Sequence, residues 1–161
     1  MMEKIVYVGF GEYKISEDPE EVLTALGLGS CVAVTLWCPS KKIGGMVHVV
    51  LPFSDGHTPS ILGKYADTGI PVLLDEMIRM GARKSEMIVK LAGGAEILRQ
   101  NYPLPKLAIG EKNSAACEEV LQKLRLTIAA KDIGGLRSRQ VKFLVKTGEV
   151  MVKTMSGIFS L

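Results

Sequence analysis

The sequence predicts a single α/β domain with a mainly antiparallel sheet, and three observations lead to this class. At 161 residues the chain has the length of one domain. Hydrophobic residues make up 47% and charged residues 23% of the chain, as in a globular protein. Short β-rich runs alternate with helical periodicity, and turns containing Gly or Pro separate them. Because no repeat, low-complexity tract or linker interrupts this order, residues 1–161 are expected to form one domain.

The strand pattern is clearest in the N-terminal third of the chain. Extended runs are predicted at residues 4–8, 23–28, 31–38 and 43–51. Both alternating faces of the 31–38 run are largely apolar, which is typical of a strand covered on both sides. The Pro-Ser-Lys-Lys stretch at 39–42 predicts the turn that makes the last two runs a β-hairpin.

Helical periodicity is found in two later stretches. Residues 65–80 carry apolar side chains at helical spacing, and Gly81 is well placed to end that helix. Pro71 is expected in its first turn or at a kink. Asn113 is predicted to cap the N-terminus of a second helix that runs to Leu124. The remaining predicted elements are a short helix at 95–100 and strands at 87–91, 126–130, 140–146 and 149–154.

Composition and charge exclude several classes of function. The net charge is +3, and the basic residues are scattered without interleaved aromatics, so nucleic-acid binding is not expected. No apolar run reaches the ~18 residues of a membrane span, so membrane insertion is not expected either. An odd count of three cysteines without a CxxC motif indicates reduced thiols and a cytoplasmic protein. Two histidines and scattered cysteines have no metal-ligand spacing, and no metal or other cofactor is expected.

The strongest candidate for chemistry is Cys31, which follows a Gly-rich turn and starts an apolar strand. Glycines let the backbone approach a substrate, and the N–H groups around Gly29, Ser30 and Cys31 are suited to face a developing oxyanion. His48 lies on the predicted partner strand, where its imidazole is able to accept the thiol proton. The alternative is that Cys31 is a small core residue and His48 a structural histidine.

Two other clusters have simpler interpretations. Gly93-Gly94 is a possible anion cradle, but no P-loop or complete GxGxxG surrounds it, and an ordinary turn explains it better. The group formed by Asp132, Arg137 and Arg139 is expected to be a solvated surface cluster, with a partner site as the alternative.

The chain resembles the CheD family of chemoreceptor glutamine deamidases. The glycine motifs are weak one by one, but together they are specific, follow the family's order and cover nearly the whole chain. The matching segments are residues 26–31, 43–52, 63–67, 90–95, 109–113 and 132–139.

The resemblance implies a three-layer α/β fold, similar to the deamidase domain of cytotoxic necrotizing factor toxins. It also implies a cysteine–histidine–threonine site, in which the cysteine matches Cys31 and the histidine matches His48. The family threonine falls at Ala25 in this sequence, and the nearest threonine is Thr24. A one-residue offset in a strand turns the side chain to the opposite face. Either a bulge lets Thr24 serve, or a backbone carbonyl or another group orients the imidazole.

The activity implied by the resemblance is deamidation of glutamine on the cytoplasmic helices of methyl-accepting chemotaxis receptors. Cys31 would form a thioester and release ammonia, with Gly29 and Ser30 near the oxyanion. The alternative is a regulatory protein that mainly stimulates the CheC phosphatase and deamidates weakly or not at all. Transglutamination and ester hydrolysis through the same thioester differ only in what attacks the intermediate.

Overall fold

The computed structural model describes residues 2–97 and 108–161, which form ten strands and two α-helices. The strands are β1 (Lys4–Tyr7), β2 (Tyr13–Ser16), β3 (Glu21–Leu28), β4 (Val32–Cys38), β5 (Ile43–Val49), β6 (Ile88–Gly93), β7 (Ile128–Ile133), β8 (Arg139–Leu144), β9 (Val150–Thr154) and β10 (Gly157–Ser160). The helices are α1 (Ala66–Arg79) and α2 (Ile109–Lys123). No helix of the described residues is long and apolar enough to cross a membrane.

The strands form two mixed sheets rather than the single sheet that the sequence predicted. The first sheet has the order β1-β3-β8-β9-β10, and the second has the order β2-β5-β4-β6-β7. Two pairs are parallel, β1 with β3 and β6 with β7, and the other pairs are antiparallel. The hairpin of β4 and β5 is confirmed and lies inside the second sheet.

The second sheet is covered on both faces, as the apolar pattern of residues 31–38 predicted. Val34 and its neighbours of one face pack in a core with Leu73 of α1 and Leu121 of α2. Ala33 on the other face packs in a second core with residues of the first sheet such as Leu23. The order of layers is therefore helices, second sheet, first sheet, because each apolar face of β4 has a different neighbour.

The structure confirms one local prediction about the helices and corrects others. Gly81 follows α1 with φ of +105°, as predicted for a helix end. Pro71 lies inside α1, beyond its first turn, so the first-turn alternative was wrong and the kink stays a prediction. The helix α2 begins at Ile109, so Asn113 lies within it and is not its N-cap. The short helix was predicted at residues 95–100, and residues 98–100 of this prediction lie outside the described part of the chain.

Strands β2 and β10 were not predicted from the sequence. Both lie at the edge of a sheet, where one side of the strand lacks a hydrogen-bonded neighbour. All four residues of β10 are exposed, so the alternation of apolar and polar residues that identifies a half-buried strand is missing. Such strands form because the neighbouring strand offers backbone partners, which a local pattern does not reveal.

We expect Gly44→Ala to lower the free energy of unfolding by about 1–3 kcal/mol through overpacking between the sheets. A Cβ atom at Gly44 would lie 2.2 Å from Cε1 of Phe143, which is 1% exposed and has little room to move. Urea denaturation of the four members of a double-mutant cycle with Phe143→Leu measures this. The cost of the alanine should be smaller in the Phe143→Leu background, and an equal cost in both would contradict the packing argument.

Candidate active site

The two residues singled out from the sequence lie on the same face of the hairpin. Cys31 comes directly before β4, and His48 on β5 is paired with Ala33. Because side chains alternate along a strand, Cys31 and Ala33 share a face, and Cys31 is a diagonal neighbour of His48. Cys31 is 7% exposed and His48 is 1% exposed. The register thus places the predicted nucleophile and base on the same face of the hairpin, the face that packs toward the first sheet.

One ring nitrogen of His48 is hydrogen-bonded, and the other has no partner in the part of the chain that the structure describes. Nδ1 lies 2.9 Å from the carbonyl oxygen of Val8. A carbonyl only accepts, so Nδ1 carries the proton and donates it, and the lone pair is left on Nε2. Within residues 2–97 and 108–161, Nε2 is buried without a hydrogen bond, to Cys31 or to any other group. This tautomer is the one a general base needs, and such contacts often close only when substrate binds.

The segment of residues 8–12, here called the crossover, passes from the first sheet to the second around His48. Its Val8 N–H donates to the Thr24 carbonyl of β3 at 2.8 Å. Gly11 N–H donates to the His48 carbonyl at 2.9 Å, and His48 N–H donates to the Glu12 carbonyl at 3.0 Å. The ring of Phe10 meets the imidazole edge to face, with 5.0 Å between ring centroids. The histidine is therefore held through both its ring and its backbone.

Thr24, the threonine proposed for the third catalytic position, makes a different contact. Its hydroxyl donates to the carbonyl of Val22 at 3.2 Å, within its own strand. The register of β3 against β8 shifts between Ala25 and Leu28, so an irregularity exists, but it comes after Thr24. Of the alternatives drawn from the sequence, a backbone carbonyl is the one whose hydrogen bond to His48 the structure shows.

We expect Thr24→Val to leave unchanged the turnover number of a reaction carried out by Cys31 and His48. The substitution keeps the shape and removes a hydroxyl whose one hydrogen bond within residues 2–97 and 108–161 goes to the Val22 carbonyl, so we expect the protein to lose about 1 kcal/mol of stability. Steady-state kinetics together with thermal unfolding test this. A large fall in turnover without a fall in stability would return the orienting role to Thr24.

The turn that carries Cys31 is held by its carbonyl groups. Ala95 N–H donates to the Gly29 carbonyl and Gly94 N–H to the Cys31 carbonyl, each at 2.8 Å. Gly93 has φ of +130°, and a Cβ atom there would lie 2.1 Å from the Cys31 oxygen, so only glycine fits. The Gly93-Gly94 pair thus packs against the backbone of the candidate nucleophile.

Arg139 is hydrogen-bonded to the backbone of this glycine pair. It is 9% exposed, so the expectation of a solvated surface cluster was wrong for this residue. Its guanidinium donates to the Gly93 carbonyl at 3.1 Å, the Gly134 carbonyl at 2.8 Å and the Asp132 carboxylate at 2.8 Å. A planar group with several donors suits this bracing of two backbone turns.

Asn113 is the residue of the site that sequence reasoning placed wrongly. It is fully buried, and its side-chain Nδ2 donates to the Ser30 and Val50 carbonyls at 2.9 Å each. It has no capping role because α2 starts earlier and the side chain is engaged by the hairpin. The only signal in the sequence was its place at the end of the 109–113 motif.

Burial sets the resting protonation of the pair. Desolvation raises the pKa of the Cys31 thiol above its ordinary 9.0. Desolvation also lowers the pKa of His48 below its ordinary 6.5, although the Val8 hydrogen bond and the charge of Glu12 oppose this. At neutral pH the site therefore holds a thiol and a neutral imidazole rather than an ion pair.

Comparison with known proteins identifies close relatives over nearly the full length. Residues 50–154 match the family model described as CheD chemotactic sensory transduction. The "Probable chemoreceptor glutamine deamidase CheD" of Caldanaerobacter subterraneus subsp. tengcongensis is 41% identical over 96% of each chain. The "Chemoreceptor glutamine deamidase CheD" of Thermotoga maritima is 38% identical over 97% of this chain and 94% of its own. A crystal structure of Neisseria meningitidis protein NMB0706 (DUF152) covers 83% of this chain and 63% of that one, with a TM-score of 0.44 and 13% identity.

Proposed function

The chain belongs to the CheD family, and from this premise we propose that it is a chemoreceptor glutamine deamidase with Cys31 as nucleophile and His48 as base. Its substrates are glutamine side chains on the cytoplasmic helices of methyl-accepting chemotaxis receptors, and its products are glutamate and ammonia. The observation that supports this best is the imidazole of His48, which lies on the same strand face as Cys31: its Nδ1–H is held by the Val8 carbonyl, and its Nε2 has no hydrogen-bond partner among the described residues.

The first half of the reaction forms a thioester. As the Cys31 sulfur attacks the carboxamide carbon, His48 Nε2 accepts the thiol proton. The Gly29 N–H already donates to the Gly27 carbonyl at 2.9 Å, so of the three expected oxyanion donors we assign only the N–H groups of Ser30 and Cys31 to this role. The imidazolium then gives its proton to the leaving nitrogen, the C–N bond breaks and ammonia departs.

The second half of the reaction releases the product. Water attacks the thioester carbon while His48 Nε2 accepts a proton from it, and the C–S bond breaks. The proton returns to the Cys31 sulfur, and the receptor side chain leaves as glutamate. Each turnover adds one negative charge to the receptor helix bundle.

The surface beside His48 suits an amphipathic helix as substrate. Phe10 lies against the imidazole and is 68% exposed. Ile61, which approaches Gly11 of the crossover, is 52% exposed. Exposed apolar side chains next to a buried reactive pair favour a partner that covers them with apolar residues of its own.

The alternative function, in which the chain mainly stimulates the CheC phosphatase, was favoured by the absence of the family threonine. It depended on the missing threonine at Ala25, but the Val8 carbonyl supplies an acceptor for His48 Nδ1–H. Stimulation of the CheC phosphatase therefore stays a prediction from the family, compatible with catalysis by the same chain.

The test is incubation of the protein with a cytoplasmic receptor fragment from the same genome. Peptide mass spectrometry should find specific glutamines converted to glutamate, and ammonia should appear in equal amount. Acyl transfer to added amines instead of water would indicate transglutamination. A correctly folded receptor fragment that keeps all its glutamines would overturn the proposal.

A further inference from the structure

The backbone pairing of the hairpin includes His48, which is paired with Ala33, but it ends just short of Cys31. The last paired residues of β4 and β5 are Val32 and Val49. Beyond them, Val50 N–H turns away and donates to the Lys64 carbonyl at 2.9 Å. The two chain ends next to the reactive pair are thus no longer joined by the ladder that aligns the rest of the hairpin.

Asn113 replaces the missing ladder bonds from outside the sheet. Its Nδ2 donates to the Ser30 carbonyl, one residue before the nucleophile, and to the Val50 carbonyl, two residues after the base. Both distances are 2.9 Å, and the residue is 0% exposed. One amide group therefore ties the strand end that carries Cys31 to the strand end that follows His48.

Packing alone does not explain an asparagine at this position. Its Oδ1 is buried and has no hydrogen-bond partner among the described residues, which is unfavourable for stability. Of the buried residues of α2 that follow it, Ser114 donates its hydroxyl to the Gly110 carbonyl of the same helix, and Ala116, Cys117 and Leu121 are apolar. A leucine has the same branching and would continue that face, but it would leave the two carbonyls without this donor.

We propose that Asn113 is a positioning residue of the active site, which holds Cys31 within reach of His48 by joining the two ends of the hairpin. It touches neither the substrate nor the reacting atoms. This inference rests on the proposed function for its effect on turnover, but its effect on the reactivity of Cys31 is measurable without any receptor. Misplacing a reactive pair by about 1 Å costs on the order of 10²-fold in rate.

The experiment measures alkylation of Cys31 by iodoacetamide at neutral pH, followed by peptide mass spectrometry. His48→Gln should slow alkylation in the wild-type background, because the imidazole assists loss of the thiol proton. In the Asn113→Leu background, His48→Gln should cause no further decrease, since the pair is already separated. With receptor fragment as substrate, kcat of Asn113→Leu should fall about 10²-fold while KM changes little.

Thr35→Val is the matched control, because it also removes a buried donor to a backbone carbonyl. The Thr35 hydroxyl donates to the Lys90 carbonyl at 3.3 Å, in the middle of β4. This variant should lose stability but keep the dependence of alkylation on His48. If Asn113→Leu fails to fold, Asn113→Asp takes its place, because it keeps the shape and retains at most one donor when protonated.

The outcomes separate this inference from the proposed function. A folded Asn113 variant that keeps both full turnover and full sensitivity to His48→Gln overturns the positioning role. A second outcome is that the wild-type protein modifies no receptor while alkylation of Cys31 still loses its dependence on His48 in the Asn113 variant. That result supports the positioning role and overturns the proposed function. If the wild type modifies the receptor and Asn113→Leu does so with unchanged kcat, the proposed function is supported and the positioning role is overturned.

Discussion

Replacement of Cys31 by alanine is expected to abolish deamidation, with a rate at least 10³-fold below that of the wild type. The thiol is the only group that forms the thioester in the proposed reaction, so no other side chain of the site replaces it. Burial raises its pKa, which makes the sulfur depend on His48 for activation and places the reactivity in the pair rather than in a free thiolate.

Cys38→Ala is the matched control for this loss. Cys38 is also buried and lies at the opposite end of β4, where its sulfur accepts a hydrogen bond from Arg83 N–H at 3.4 Å. Its replacement should lower stability and leave turnover intact. Circular dichroism and thermal unfolding of both variants, beside the receptor assay, separate chemistry from folding. Receptor modification that survives in Cys31→Ala would exclude the thioester mechanism.

His48→Gln is expected to lower kcat/KM by about 10²–10⁴-fold and to change the pH profile. The base works only as neutral imidazole, which is complete above its folded pKa and is lost as the pH falls through it. Because burial lowers that pKa below 6.5, the acid limb should lie below 6.5 and activity should be level through neutral pH. The thiol, with a pKa above 9.0, titrates only on the alkaline side.

His57→Gln is the control because it makes the same substitution at the other histidine, which is exposed in a loop. Initial rates across the pH range should show the acid limb in the wild type and in His57→Gln, and its loss in His48→Gln. An acid limb that persists in His48→Gln would assign the titration to another group.

The parts of the fold that were predictable depend on local periodicity. The hairpin of β4 and β5 followed from two alternating runs and a Pro-containing turn, and α1 followed from apolar spacing with Gly81 at its end. The number of sheets did not follow, because a strand with two apolar faces looks the same whether helices or a second sheet cover it. Edge strands such as β10 carry little pattern, since burial does not constrain them.

Local sequence patterns were enough to single out the candidate nucleophile and base. A cysteine after a Gly-rich turn and a histidine on the adjacent strand are local features, and alternation along the strands is enough to put Cys31 and His48 on one face.

The contacts that hold Cys31 and His48 in place come from distant parts of the chain and follow only from the tertiary packing. The orienting carbonyl of Val8 is 40 residues from His48 in the chain, and Asn113 is 83 residues from Ser30 and 63 from Val50. All three contacts end on backbone carbonyl oxygens, those of Val8, Ser30 and Val50. Every residue has a backbone carbonyl oxygen, so no side-chain pattern predicts which carbonyl will accept such a hydrogen bond. The accepting carbonyl is set by how the crossover, the hairpin and α2 pack together.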